Sequence, residues 1–252
     1  MNNEPNLFGP GIPEPGEQQA IHQPKLHLVP LMRKVENAAW RMVLECMAKE
    51  GRESVCLPIP VERWIEGPLG LKLEIADLSE FDQGGLQVLG ATDFAKRTIR
   101  ISQRIVEQEN RFRFTLAHEL GHFKLHSFLS GKFRDTTDGD YLTEKFEREA
   151  DRFAAAFLMP ANSFRQELPR YCGQHGHIAS ELLAAVSSEH PSATTTLLND
   201  IIPKLSRRFG VAATTAMGRF RDLQIDGLRP MIPYRVVTKL LKRISDNRGN
   251  KG

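Results

Sequence analysis

The pentapeptide His118-Glu119-Leu120-Gly121-His122 constrains this chain more than any other stretch, because its spacing fits one helical turn facing a metal ion. Residues four apart on an α-helix lie on the same face, so His118 and His122 can aim both imidazoles at one Zn²⁺. Glu119, one step round from His118, sits beside such an ion rather than on it. There it can take a proton from a metal-bound water, the task of a general base in hydrolysis. Gly121 lacks a side chain and lets another element approach this turn closely. Five residues can match by chance, so a third ligand has to decide the reading.

A candidate lies downstream. Residues 144–160 read as an amphipathic helix that ends before Pro160, since the residue preceding a proline is pushed out of the helical region. Phe146, Ala150, Phe153, Ala154 and Phe157 share its apolar face. Glu147 falls about 60° from the centre of that face, with Asp151 on the same side one turn later. Glu149 falls about 100° away on the other side, and is expected to be a surface charge. Glu147 is therefore the expected third ligand. Asp151 is placed to accept the free N–H of a ligand histidine, fixing its tautomer and raising its basicity.

The two blocks, Arg113-Phe114-Thr115-Leu116-Ala117-His118-Glu119-Leu120-Gly121-His122 with Leu125-His126, and Glu147-Arg148-Glu149-Ala150-Asp151 running on to Pro160, together resemble the ImmA/IrrE family of metallopeptidases. With its flanking pattern the resemblance covers about residues 35–225. It implies a zincin-like α+β core in which a small mixed or antiparallel sheet lies beside the two metal-bearing helices, followed by a helical C-terminal region. It also implies a cytoplasmic zinc-dependent endopeptidase of bacterial or phage origin. Relatives of this kind cleave helix-turn-helix repressors and so release stress-response or mobile-element genes. Such a repressor is the expected protein substrate.

Bulk properties are compatible with this. A chain of 252 residues, 40% hydrophobic, can bury a substantial core. Cys46, Cys56 and Cys172 are too few and scattered for a disulfide framework, which suits a reducing compartment. No stretch approaches the roughly 18 apolar residues of a membrane span, and the first residues lack the regions of a signal peptide. A cytoplasmic location is expected. The net charge of +3 is too small to argue for nucleic-acid binding.

Along the chain, residues 1–30 hold six of the fifteen prolines and read as a flexible leader. Residues 31–165 are assigned to the metallopeptidase core, 166–234 to a helical region and 235–252 to a solvated basic tail. Within the core, a first helix is expected over 31–49 and a short one over 61–65. Strands are expected at 71–75, 86–89 and 98–102. By analogy with zincins, the 98–102 strand is cast as the sheet edge on which substrate adds as a strand; an ordinary edge is the alternative. Residues 130–140 read as a loop. Helical pattern resumes at 164–168, 178–187 and 194–209.

Three weaker signals remain. His126 follows His122 by four residues, but successive steps of four drift round the helix, so it is read as a supporting residue rather than a ligand. Cys172, His175 and His177 share a glycine-containing stretch with no fourth ligand, and are read as a loop. Residues 205–220 resemble a helix-turn-helix, with Gly210 at the turn and arginines on both flanks. This supports a rival class of function, a non-proteolytic regulator that uses the fold to bind a repressor or DNA; direct DNA contact is not favoured.

Overall fold

The computed structural model describes residues 28–82, 85, 87–127, 139–224 and 229–249. The leader expected over 1–30 lies outside these except for its last three residues, which open a helix. The loop expected over 130–140 also lies outside, except that Gly139 and Asp140 begin the next helix.

The first helix, α1 (Leu28–Lys49), buries Val35, Ala39, Met42, Val43 and Cys46, a stripe at helical spacing. A short α2 (Val61–Glu66) follows, burying Val61, Trp64 and Ile65. The sheet has three strands: β1 (Lys72–Ala76), β2 (Gly90–Asp93) and β3 (Thr98–Ser102). Their order is β1-β3-β2, with β1 parallel and β2 antiparallel to β3, so the sheet is mixed.

Two strand assignments change. The strand expected at 86–89 forms instead at Gly90–Asp93, although Leu89 already accepts a backbone bond from Ser102 N at 2.9 Å. Gly-Ala-Thr-Asp has little strand propensity of its own; its pairing with β3 and its packing on the helix behind it outweigh that. Thr98–Ser102 is not an edge but the central strand. Its polar Thr98 and Ser102 are buried along with Ile99 and Ile101, because neighbours cover both faces and both edges.

Helix α3 (Glu109–His126) packs on β2 and β3 and, most extensively, on α4 (Gly139–Leu158). Beyond Pro160 come α5 (Ala161–Gln174), α6 (Ala179–Ser187) and α7 (Pro191–Thr196). A π turn over Leu197–Ile201 leads into α8 (Ile202–Phe209) and α9 (Ala213–Asp222). One continuous hydrophobic core runs from α1 through the sheet to these helices.

The C-terminal stretch is not a solvated tail. Helix α10 (Tyr234–Gly249) packs on α9 and buries Val236, Val237 and Leu240, an apolar stripe that its many basic residues mask in a composition reading. No helix among the described residues is long and apolar enough to cross a membrane.

Candidate metal centre

Helix α3 turns Leu116, Ala117 and Leu120 into the core and leaves His118 and His122 half-buried at the wall of a cleft of about 640 Å³. Its first turns are pinned by the buried Arg113. That guanidinium donates to Ile59 O at 2.6 Å, Gly210 O at 3.1 Å and the Glu62 carboxylate at 3.1 Å, tying α3 to α2 and to the α8–α9 turn. The crossing with α4 is tight at Gly121, where an added Cβ would stand 3.1 Å from Ala150 Cα and 3.2 Å from Ala150 O. This close approach brings α4's acidic side chains to α3's histidines.

Three groups converge. His118 Nε2 lies 3.0 Å from His122 Nε2 and 3.1 Å from Glu147 Oε2, and His122 Nε2 lies 3.2 Å from Glu147 Oε1. A tetrahedral ion with ligand bonds of about 2.0–2.1 Å sets its ligand atoms about 3.3–3.4 Å apart, within a few tenths of these separations. Two imidazoles and a carboxylate on three corners suit a metal ion with one open position, so this set could hold one. Asp151 sets Oδ1 2.9 Å from the other ring nitrogen of His118, Nδ1.

The electrostatics follow from these contacts. Burial pulls the His118 imidazolium down, but the Asp151 and Glu147 carboxylates on its two nitrogens outweigh this and raise it to about 10. Hydrogen bonds from His118 and His122 hold Glu147 well below the usual carboxylate range. Glu119 is 7% exposed; burial pushes its carboxyl up, opposed by His118 and by the Thr92 hydroxyl. Thr92 donates to Glu119 Oε2 at 2.8 Å from the neighbouring strand. Beside it, Gly90 leaves the space that the Glu119 carboxylate fills: a Cβ there would stand 2.5 Å from Oε1.

Sequence reasoning missed Gly90 and Thr92. A glycine inside a strand marks a close approach by something else, and that signal was available.

Glu149 requires a correction. It is 9% exposed rather than a surface charge, and Oε2 lies 3.1 Å from His126 Nε2. A residue about 100° from the centre of a buried face stands on its flank, not its back, and a glutamate is long enough to reach inward. Glu147 and Glu149 thus straddle the α3–α4 contact, one meeting His118 and His122, the other His126. His126 is 3% exposed, and burial lowers its pKa. His175 meets Lys204 Nζ at 2.6 Å, and Cys172 is buried in α5; they form no metal cluster among the described residues.

The IrrE N-terminal-like domain family (Peptidase_M78) matches residues 69–216, more than half of the chain. The chain belongs to that family. The matched span takes in all three strands, α3 and α4, so every side chain of the centre lies within it. Among solved structures the chain is similar to a Mycobacterium tuberculosis transcriptional regulator, at 19% identity and a TM-score of 0.48. That likeness covers 81% of this chain and 51% of the regulator, so the chain spans about half of that protein's length. A comparison with curated proteins gives no match.

Proposed function

We propose that the chain is a zinc-dependent endopeptidase in which His118, His122 and Glu147 hold Zn²⁺ and Glu119 is the general base. The observation that carries this reading is the placement of Glu119. Its carboxylate is buried in the cleft that contains the three converging groups, fitted into the space over Gly90 and bonded by Thr92. A binding scaffold has no use for a buried acid beside a metal set.

Bound zinc would acidify a water and polarise the scissile carbonyl. Glu119 would take that water's proton on its carboxylate and pass it to the departing amine. A raised carboxyl pKa suits an acid that must both accept and release a proton near neutral pH. Thr92 fixes the carboxylate's orientation, and Asp151 keeps the ring of His118 turned towards the ligand set. The outer edge of β2 has no strand partner among the described residues, and its backbone at Gly90 lines the cleft. A substrate segment would add there as a strand, with backbone bonds to β2 and its scissile bond over the centre.

The substrate in this reading is a helix-turn-helix repressor, cut to release stress-response or mobile-element genes in the cytoplasm. The resemblance to ImmA/IrrE peptidases supports this. The helix-turn-helix-like hairpin gives no matching support for DNA contact. No residue of α9 is exposed, Arg219 is buried against Met159 O and Glu36, and Arg208 meets Glu167 at 2.8 Å.

The test is co-expression of the chain, or its Glu119→Gln variant, with helix-turn-helix repressors drawn from its neighbouring genes, followed by mass spectrometry of each repressor. The wild type should cut one of them into two fragments. The variant should keep its zinc while its cutting slows by about two orders of magnitude or more. Repressors all left intact by the zinc-loaded wild type would overturn the substrate assignment, and undiminished cutting by the variant would overturn the role of Glu119.

A further inference from the structure

We infer that Glu149 and His126 are positioning residues for the metal set: acting in series, they fix the tautomer and direction of His122. The inference rests on the reading of His122 as a metal ligand and names what prepares it for that role.

The argument is a matter of donors and acceptors. His122 Nε2 points into the ligand set, and its other nitrogen, Nδ1, lies 3.0 Å from His126 Nδ1. His126 Nε2 lies 3.1 Å from Glu149 Oε2. A carboxylate only accepts, so His126 Nε2 must carry the proton. Neutral His126 then has a bare Nδ1, which can only accept. The facing Nδ1 of His122 must therefore donate, so the nitrogen left to exchange the proton it gives Glu147 for a metal is Nε2, the atom turned towards Glu147 and His118. The negative charge of Glu149 thus determines, through one intervening ring, which nitrogen of His122 is free for a metal.

Burial makes the order firm. At 3% and 9% exposure, His126 and Glu149 have little water to substitute for a lost partner, so the chain is satisfied in this order or pays a desolvation cost. The Phe146 ring, 4.6 Å from the His126 ring, closes one side. The two histidines of the set are thus oriented differently. Asp151 reaches His118 directly from an exposed position, whereas Glu149 reaches His122 through a buried relay. Partners of this kind are typically worth about 10–100-fold in metal affinity.

Three variants of the full chain test this, with zinc affinity measured by chelator competition and the Co²⁺-substituted protein read by its visible absorption. His126→Phe fills the space but can neither accept nor donate. His126→Gln restores both functions, its amide oxygen accepting from His122 and its NH₂ donating to Glu149. Glu149→Gln keeps size and an acceptor but removes the charge. Expected are a 10–100-fold loss in His126→Phe, affinity within about threefold of wild type in His126→Gln, and about a tenfold loss in Glu149→Gln. The Co²⁺ spectrum should change in His126→Phe and be restored in His126→Gln.

Melting of the metal-free proteins identifies a variant that has not folded; if that is His126→Phe, Glu149→Gln and His126→Gln carry the test. Equal zinc affinity and identical Co²⁺ spectra across the folded variants would overturn the relay, as would equal losses in His126→Phe and His126→Gln. Failure of the underlying reading looks different: the wild type itself would hold no zinc, or His122→Ala would hold it as tightly.

Discussion

Replacing Gly90 by alanine adds one methyl group where the Glu119 side chain now lies. The three atoms nearest the new Cβ would all belong to Glu119: Oε1 at 2.5 Å, Cγ at 2.8 Å and Cδ at 2.9 Å. Ordinary contact is about 3.5 Å, so the carboxylate must retreat by about 1 Å. That movement weakens the 2.8 Å bond from Thr92 and shifts the proposed general base relative to the converging groups. A 1 Å misplacement of a catalytic group costs on the order of 100-fold in rate, or about 2.7 kcal/mol of barrier.

Stability should barely change. Alanine for glycine at a compatible backbone gains about 0.4–1 kcal/mol, which offsets the roughly 0.5–1.5 kcal/mol of an off-rotamer glutamate. Zinc content should also be unchanged, because no ligand atom is among the methyl's nearest contacts. The assay is cleavage of a proteome-derived peptide library by zinc-loaded protein, with product rates read by mass spectrometry. Pairing Gly90→Ala with Glu119→Gln sharpens it: if the methyl acts through Glu119, the double variant is no slower than Glu119→Gln alone. Wild-type cleavage by Gly90→Ala would refute the claim that the position of Glu119 sets the rate. A further loss in the double variant would refute the claim that the methyl acts through it.

Three other outcomes follow from the same geometry. Ala substitutions at His118, His122 or Glu147 should each abolish stoichiometric zinc by elemental analysis, and Asp151→Ala should weaken it about 10–100-fold; zinc retained in Glu147→Ala would show the wrong carboxylate had been chosen. With His118 held at about 10, a metal taking its Nε2 must expel a proton, so affinity should rise about tenfold per pH unit up to that pH. Calorimetry at pH 8 should then give a zinc-binding enthalpy that depends on the buffer, and a buffer-independent one would sink this. Gly121→Ala should force α3 and α4 apart, since the new Cβ meets Ala150 backbone at 3.1 Å. Overpacking of about 1–3 kcal/mol against a helix-propensity gain of about 1 predicts a melting point lower by a few degrees, and a stabilised variant would contradict the tight crossing.

Helices that carry their own period were legible in the sequence, and relations between elements were not. His118, His122 and Glu147 lie four residues apart or on the flank of a clear apolar stripe, so local arithmetic suffices to put them on the same faces. The strand Thr98–Ser102 alternates clearly, yet alternation specifies two faces and nothing about lateral neighbours. Its central place depends on β2, whose four residues have little propensity of their own and lie between β3 and α3 contacts. Glu149 shows the same limit within one helix. Its phase puts it on the opposite flank from Glu147, but whether a flank faces water depends on how wide the covering helix is and what it carries there. Here α3 carries His126, one turn beyond His122, and the pair buries itself. A lone histidine at that spacing and a lone glutamate at that phase each read as incidental. Only the crossing at Gly121 and Ala150 turns them into partners, which is why the parts of the centre furthest from the motif were the hardest to read from it.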